Sequence, residues 1–271
     1  MLDLILITND TEFARRGDAL EGVRLWVDLE RLGKAERQAG LNSFISAHAL
    51  EDVGRIKSVL RRARLMVRVN PLNEDSAAEI DAVLEQGADL LMLPMFSGAT
   101  AVRDFCRIVA GRVPVVPLLE TAGALATLEE WIDTPGIEEV YVGLNDLHLS
   151  QGDRFMFEPL ARGDVDRVAA AAKVRGLRFG FGGIARLNEG LLPGRDVMAE
   201  HVRLGSGAVI LSRTFHRADS AAAFESEILA LRQAESSAST RSAAQMESDR
   251  RRIAEQIRAI SQRMTVLRKE L

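Results

Sequence analysis

Residues 65–94 read LMVRVNPLNEDSAAEIDAVLEQGADLLMLP. A short apolar run from Leu65 to Val69 gives way to an amphipathic stretch, Ser76 to Gln86, and then to a second run, Asp89 to Pro94. Apolar runs that are continuous rather than alternating are the signature of strands covered on both faces of a parallel sheet, and the stretch between them is long enough for a crossover helix. The same alternation extends both ways along the chain. Leu2 to Thr8 and Val23 to Asp28 precede it; Val113 to Leu119, Glu139 to Gly143, Leu177 to Gly182 and Ala208 to Ser212 follow. Glu51 to Arg64 and Ala99 to Val109 read as further connecting helices. Eight strands alternating with helices point to an α/β protein with a closed (β/α)8 TIM barrel, although a doubly wound open sheet shares this pattern over part of its length. Leu29 to His48 is irregular, with a possible helix around Ala35 and a Phe44 to Ala47 run that could pass for a ninth strand.

The barrel is expected to fill residues 1–234 as the catalytic domain. Residues 235–243 open with the small polar run ESSASTRS and read as a flexible linker. In the remaining residues, 244–271, Met246, Ile253, Ile257, Ile260, Met264, Leu267 and Leu271 are spaced 7, 4, 3, 4, 3 and 4 apart on a charged background, the a/d stripe of a coiled coil. This helix is expected to make the protein a homo-oligomer, with packing back onto its own barrel as the other reading.

Composition excludes several classes. A formal net charge of −4, with charged residues spread along the chain, gives no global reason to bind nucleic acid or an anionic membrane. No apolar run approaches the roughly 18 residues of a membrane span, and MLDLILITND lacks the features of a signal peptide. Cys106 is the single cysteine, so neither an intrachain disulfide nor a cysteine metal cluster is possible. The cytoplasm is the expected location.

Barrel enzymes gather their active sites at the C-terminal ends of the strands, so polar residues that close an apolar run carry the functional reading. These are Asp28 and Glu30, Arg68 and Asn70, Pro94 and Met95, Glu120, Asn145 and Asp146, Gly183, and Ser212. Glu120 closes VPVVPLLE and Asp146 follows VYVGLN, so adjacent strands would bring two carboxylates to one rim. Like charges that close raise each other's pKa unless a cation lies between them, and a hard ion such as Mg2+ or Mn2+ needs only one or two protein carboxylates. A surface acid or helix N-cap is the plainer alternative for either one. Arg68 lies in a strand covered on both faces, where a guanidinium needs an anionic partner: a substrate carboxylate or enolate oxygen, or a bridge to Asp28 or Glu30.

WVDLE at 26–30, VRVNPL at 67–72, GADLLMLP at 87–94, PLLET at 117–121 and GLNDLHLSQG at 143–152 together resemble, in order and spacing, the HpcH/HpaI aldolase and citrate lyase β-subunit family. The resemblance implies a metal-dependent barrel acting on a small 2-keto acid such as pyruvate. It implies Glu120 and Asp146 as metal ligands, Arg68 as the arginine facing the keto acid, and Asp28 and Glu30 as the acidic pair after the second strand. Asn70, Pro94, Asn145 and Gly183 would line the substrate. The HpaI-type aldolases carry a histidine close after the second-strand acid, where this chain has Arg31. His148 beside the metal carboxylates is the first substitute for that proton-transfer group, and His48 the second; His201 and His216 have no supporting context.

Three functions stay open on the sequence. One is a metal-dependent carbon–carbon lyase or aldolase. Another is an acyl-coenzyme A lyase or thioesterase, hinted at by DLE followed by Lys34, Arg37 and Gln38, which could equally be a solvated helix face. The last is a non-catalytic assembly barrel. FGFGGIARL at 179–187 and GSGAVILS at 205–212 allow close backbone approach to a ligand or phosphate, or serve packing alone.

Overall fold

A computed structural model describes residues 1–33, 48–217 and 221–269. Lys34, Arg37, Gln38, the possible helix around Ala35 and the Phe44 to Ala47 run lie outside the described residues. The eight expected strands are all present: β1 (Asp3–Ile7), β2 (Val23–Asp28), β3 (Leu65–Arg68), β4 (Leu90–Leu93), β5 (Val115–Leu119), β6 (Glu139–Val142), β7 (Arg178–Ile184) and β8 (Ala208–Leu211). They hydrogen-bond in chain order as a closed parallel barrel. Every residue of β2, β4, β5 and β6 is buried, which is why these runs carry no polar alternation.

The chain forms two compact units. The first holds Leu4–Leu119 and Gly123–Tyr141. It contains β2 to β6 with α1 (Thr11–Asp18), α2 (Leu50–Lys57), α3 (Ser76–Glu85), α4 (Ala99–Val109), α5 (Ala122–Ala126) and α6 (Leu128–Trp131). Asp10 starts α1 by accepting the N–H groups of Glu12 and Phe13. The expected helix Glu51 to Arg64 stops at Lys57, because Asp18 draws the backbone N–H groups of Arg61, Arg62 and Ala63 into a turn at 2.7–3.0 Å. Inside the strands of this unit Arg24 and Glu139 form a buried two-pronged ion pair at 3.0 and 2.9 Å.

The second unit holds Met1–Asp3, Glu120–Ala122 and Val142–Leu271. Here β7 and β8 pack with α7 (Leu144–Ser150), α8 (Glu158–Arg162), α9 (Asp164–Val174), α10 (Gly194–Leu204), α11 (Ala221–Ser239) and α12 (Ala243–Lys269). Gly182 on β7 has φ +55, and a Cβ there would lie 2.9 Å from Leu144 Cδ1, so only glycine fits.

Two expectations about the C-terminal segment are corrected. Residues 235–239 are not linker but the last turns of α11, and the break is confined to Thr240–Ser242. Glu235 accepts the Leu2 N–H at 2.7 Å and Arg232 donates to the Leu2 carbonyl at 2.6 Å, so this stretch is held in the fold although its small polar composition resembles a linker. The tail is not a free coiled-coil seam either. Ile253, Ala254, Ile257 and Ile260 are buried within the unit, where α12 lies against α8 and α10. Arg252 bridges Asp196 at 2.7 Å, and Arg241 donates to the Ala199 carbonyl at 2.8 Å. A 3–4 apolar spacing marks any helix that buries one face, whether the cover is a second copy or its own domain.

Ile257→Ala should therefore lower the stability of the chain by roughly 2–5 kcal/mol in urea unfolding, with no dependence on protein concentration. A stability that varied with concentration would return the stripe to an intermolecular role. A second expectation concerns His201 on α10, whose ring stacks on Phe181 at 3.8 Å and 11° and whose Nδ1 meets Ser206 Oγ at 2.9 Å. Burial pushes its pKa down to about 3. The unfolded chain takes up a proton near pH 6.5 that the native ring refuses, so stability should fall by about 1.4 kcal/mol per pH unit as pH drops from about 6.5 towards 3. In His201→Phe the acid slope, measured by urea unfolding between pH 7 and 4, should be shallower by one proton.

Candidate functional site

The first unit carries a charged cluster at the ends of β2 and β3. Parallel register sets Asp28 opposite Arg68. The Arg68 guanidinium donates from Nε and Nη2 to the two Asp28 oxygens, each at 2.8 Å, and Nη1 lies 3.2 Å from Glu30 Oε2. Side-chain exposures of 12%, 5% and 2% for Arg68, Asp28 and Glu30 place this triad largely out of water. The sequence allowed Arg68 either a substrate anion or a bridge to these acids, and the bridge is present. Trp26 shares a strand face with Asp28 by the two-residue period, and the Arg68 Cζ lies 5.0 Å from its ring centre, a cation–π contact.

Around the triad a second ring of contacts fixes the loops. The Asp28 backbone N–H donates to His48 Nδ1 at 3.0 Å, which makes that nitrogen the unprotonated one. Arg31, which stands where the resemblance called for a histidine, donates from Nη2 to the His48 carbonyl at 3.0 Å. Asn70, expected beside substrate, uses its Oδ1 on the N–H groups of Arg31 and Leu32 at 2.9 and 3.0 Å and its Nδ2 on Glu79 at 2.8 Å. Burial raises the pKa of Glu79 above the ordinary carboxylate value, against the hydrogen bonds from Asn70. A cavity of about 320 Å3 lined by Arg31, His48, Asn70 and Glu79, among others, borders this network. Pro94 closes β4 and is buried, and Met95 after it holds a left-handed φ of 53°, uncommon for a side-chain-bearing residue.

The second unit carries the two expected metal carboxylates. Glu120 directly follows β5 and is 2% exposed. Asp146 stands in the first turn of α7, half-buried, next to an exposed Asn145. The Ala122 N–H donates to Ser150 Oγ at 2.9 Å, tying the turn that follows Glu120 to the helix that carries Asp146. Among the described residues no group of three His, Cys, Asp or Glu side chains could hold a metal alone. Two hard oxygen donors suit Mg2+ or Mn2+, and not a closed site of nitrogen and sulfur ligands. His148 is 9% exposed with Nδ1 at 3.2 Å from the Leu144 carbonyl. It follows Asp146 by two positions, and residues so spaced do not share a helix face. Gly183, half-buried on β7, has only the Ile210 carbonyl near its Cβ position, at 3.5 Å.

A family model, HpcH/HpaI aldolase/citrate lyase, matches residues 47–179, the segment that carries Arg68, Glu120 and Asp146. Over this segment the chain is similar to the HpcH/HpaI aldolase/citrate lyase family. The family is generally one of lyases and aldolases. Solved structures with the same fold include an HpcH/HpaI aldolase from Desulfitobacterium hafniense DCB-2, at 15% identity and a TM-score of 0.59, covering 78% of this chain and 86% of that one. An HpcH/HpaI aldolase/citrate lyase family protein from Burkholderia cenocepacia J2315 shares 17% identity at a TM-score of 0.62, covering 86% and 93%. RipC from Yersinia pestis shares 18% at 0.57, covering 91% and 98%. No curated protein sequence matches the chain.

Sequence reasoning passed over Trp26 and Glu79. Trp26 was within reach, since it stands two residues before Asp28 on the same strand face; Glu79 looks like any acid in the first turn of a helix. The charge balance of the triad is testable. Arg68→Ala leaves two buried carboxylates uncompensated and should cost about 3–5 kcal/mol at pH 8. Urea unfolding of both proteins measures this; a loss under about 1 kcal/mol would mean that Arg68 does not compensate the pair.

Proposed function

We propose that this HpcH/HpaI family barrel is a divalent-metal-dependent carbon–carbon lyase or aldolase acting on a small 2-keto acid through a pyruvate-type enolate. The observation that carries the reading is the buried Glu120 carboxylate on a strand end, with the turn after it bonded to the helix of Asp146. Glu120 and Asp146 would hold Mg2+ or Mn2+, which supplies Lewis-acid stabilisation of the negative charge developing on the substrate oxygens. Arg68 is the proposed anchor for the substrate carboxylate and the enolate. Held by Asp28 and Glu30, its guanidinium is oriented before substrate arrives, so little reorganisation remains for the reaction itself. The buried setting of this triad keeps water away from its charges and strengthens each of them. Asp28 and Glu30 therefore act as positioning residues for Arg68.

The test is exchange of the pyruvate methyl protons in deuterated water, followed by proton NMR with Mg2+ or Mn2+ present or chelated. The expected result is metal-dependent exchange that drops at least about a hundredfold, some 2.7 kcal/mol of barrier, in Glu120→Ala and in Asp146→Ala. Exchange at the solvent rate in the metal-loaded wild type would remove pyruvate as the substrate.

A further inference from the structure

Trp26 is 3% exposed, and its indole nitrogen has no hydrogen-bond partner among the described residues. A buried N–H left unsatisfied loses its hydration with nothing in return, so folded proteins rarely leave one without a reason. The chain satisfies its other indole, since Trp131 Nε1 donates to the Ala124 carbonyl at 2.9 Å. On the same strand face the two Asp28 oxygens are already taken by Arg68, one of them also by the Glu30 N–H at 3.2 Å. The guanidinium lies over the indole ring, so the electropositive edge of the ring and a fixed cation occur together. A buried donor left unpaired among groups that already satisfy one another calls for an oxygen acceptor from outside the chain.

We propose that Trp26 is a ligand-binding residue of the Asp28–Glu30–Arg68 cluster, its indole N–H donating to an oxygen of a small carboxylate ligand. This inference rests on the 2-keto acid reading above and adds a contact that reading does not contain. Trp26 also forms the floor on which the guanidinium lies, so a ligand that engages the cluster changes the surroundings of the indole directly.

The chain has two tryptophans, which makes the site its own reporter. In a Trp131→Phe variant all indole emission comes from Trp26, and the probe is oxalate, a planar dianion of the size and charge distribution of a pyruvate enolate, titrated with Mg2+ present. A saturable change in Trp26 emission is expected, at the same midpoint that calorimetry gives for oxalate binding. Trp26→Phe keeps the ring for Arg68 and removes only the N–H, and should weaken oxalate about tenfold, the effect of one lost hydrogen bond. Oxalate binding by calorimetry with Trp26 emission unmoved, or binding to Trp26→Phe within twofold of wild type, would overturn the proposal and leave the 2-keto acid reading intact. No metal-dependent oxalate binding in any variant would sink that reading and this inference with it. The emission titration keeps the native Trp26, so the proposal stays open to disproof even if Trp26→Phe does not fold.

Discussion

Charge can sit among strands covered on both faces only when it is paired, and the first unit is arranged around that constraint. Arg24 is neutralised by Glu139 in a buried two-pronged pair, and Arg68 is shared between Asp28 and Glu30 at the strand ends. The low local dielectric that makes an isolated charge prohibitive also makes these pairs strong and geometrically fixed. The outer triad has one more carboxylate than guanidinium, and it is surrounded by groups whose hydrogen bonds hold the two strand-end loops: His48 on the Asp28 N–H, and Asn70 on the N–H groups of Arg31 and Leu32. The result is an arginine whose orientation is set before any ligand arrives.

The second unit solves a different problem. Glu120 and Asp146 are twenty-six positions apart in a chain whose intervening strand β6 belongs to the first unit, and the bond from the Ala122 N–H to Ser150 Oγ joins their two segments. Two oxygen donors are a poor structural metal site and a good catalytic one, because most of the coordination sphere is left to water and substrate. The family match over residues 47–179 spans the arginine and both carboxylates, the residues proposed to carry the chemistry.

The C-terminal helix illustrates how one periodicity can serve two ends. Its isoleucines repeat as a coiled-coil seam would, yet they are buried against α8 and α10, with Arg241 and Arg252 both fastening the N-terminal side of the contact to α10. Spacing reports that a helix has one apolar face; it carries no information about what covers that face. The short polar run before it misled for a related reason. Glutamate, alanine and serine are compatible with helix, and contacts to Leu2 hold Glu235 and Arg232 in place where composition alone suggested flexibility.

The sequence by itself determined the eight strands, their parallel order and the polar residues that end them, because burial on both faces leaves a continuous apolar run that stops where the strand does. It also showed that Arg68 must be paired and that Glu120 and Asp146 close their runs. Tertiary structure decided the rest. Register set Asp28 opposite Arg68, Glu30 came within 3.2 Å of the same guanidinium, and packing left the Trp26 N–H without an acceptor among the described residues. Each of these depends on which atoms arrive within about 3 Å of one another, a distance that linear spacing constrains only inside a single helix or strand.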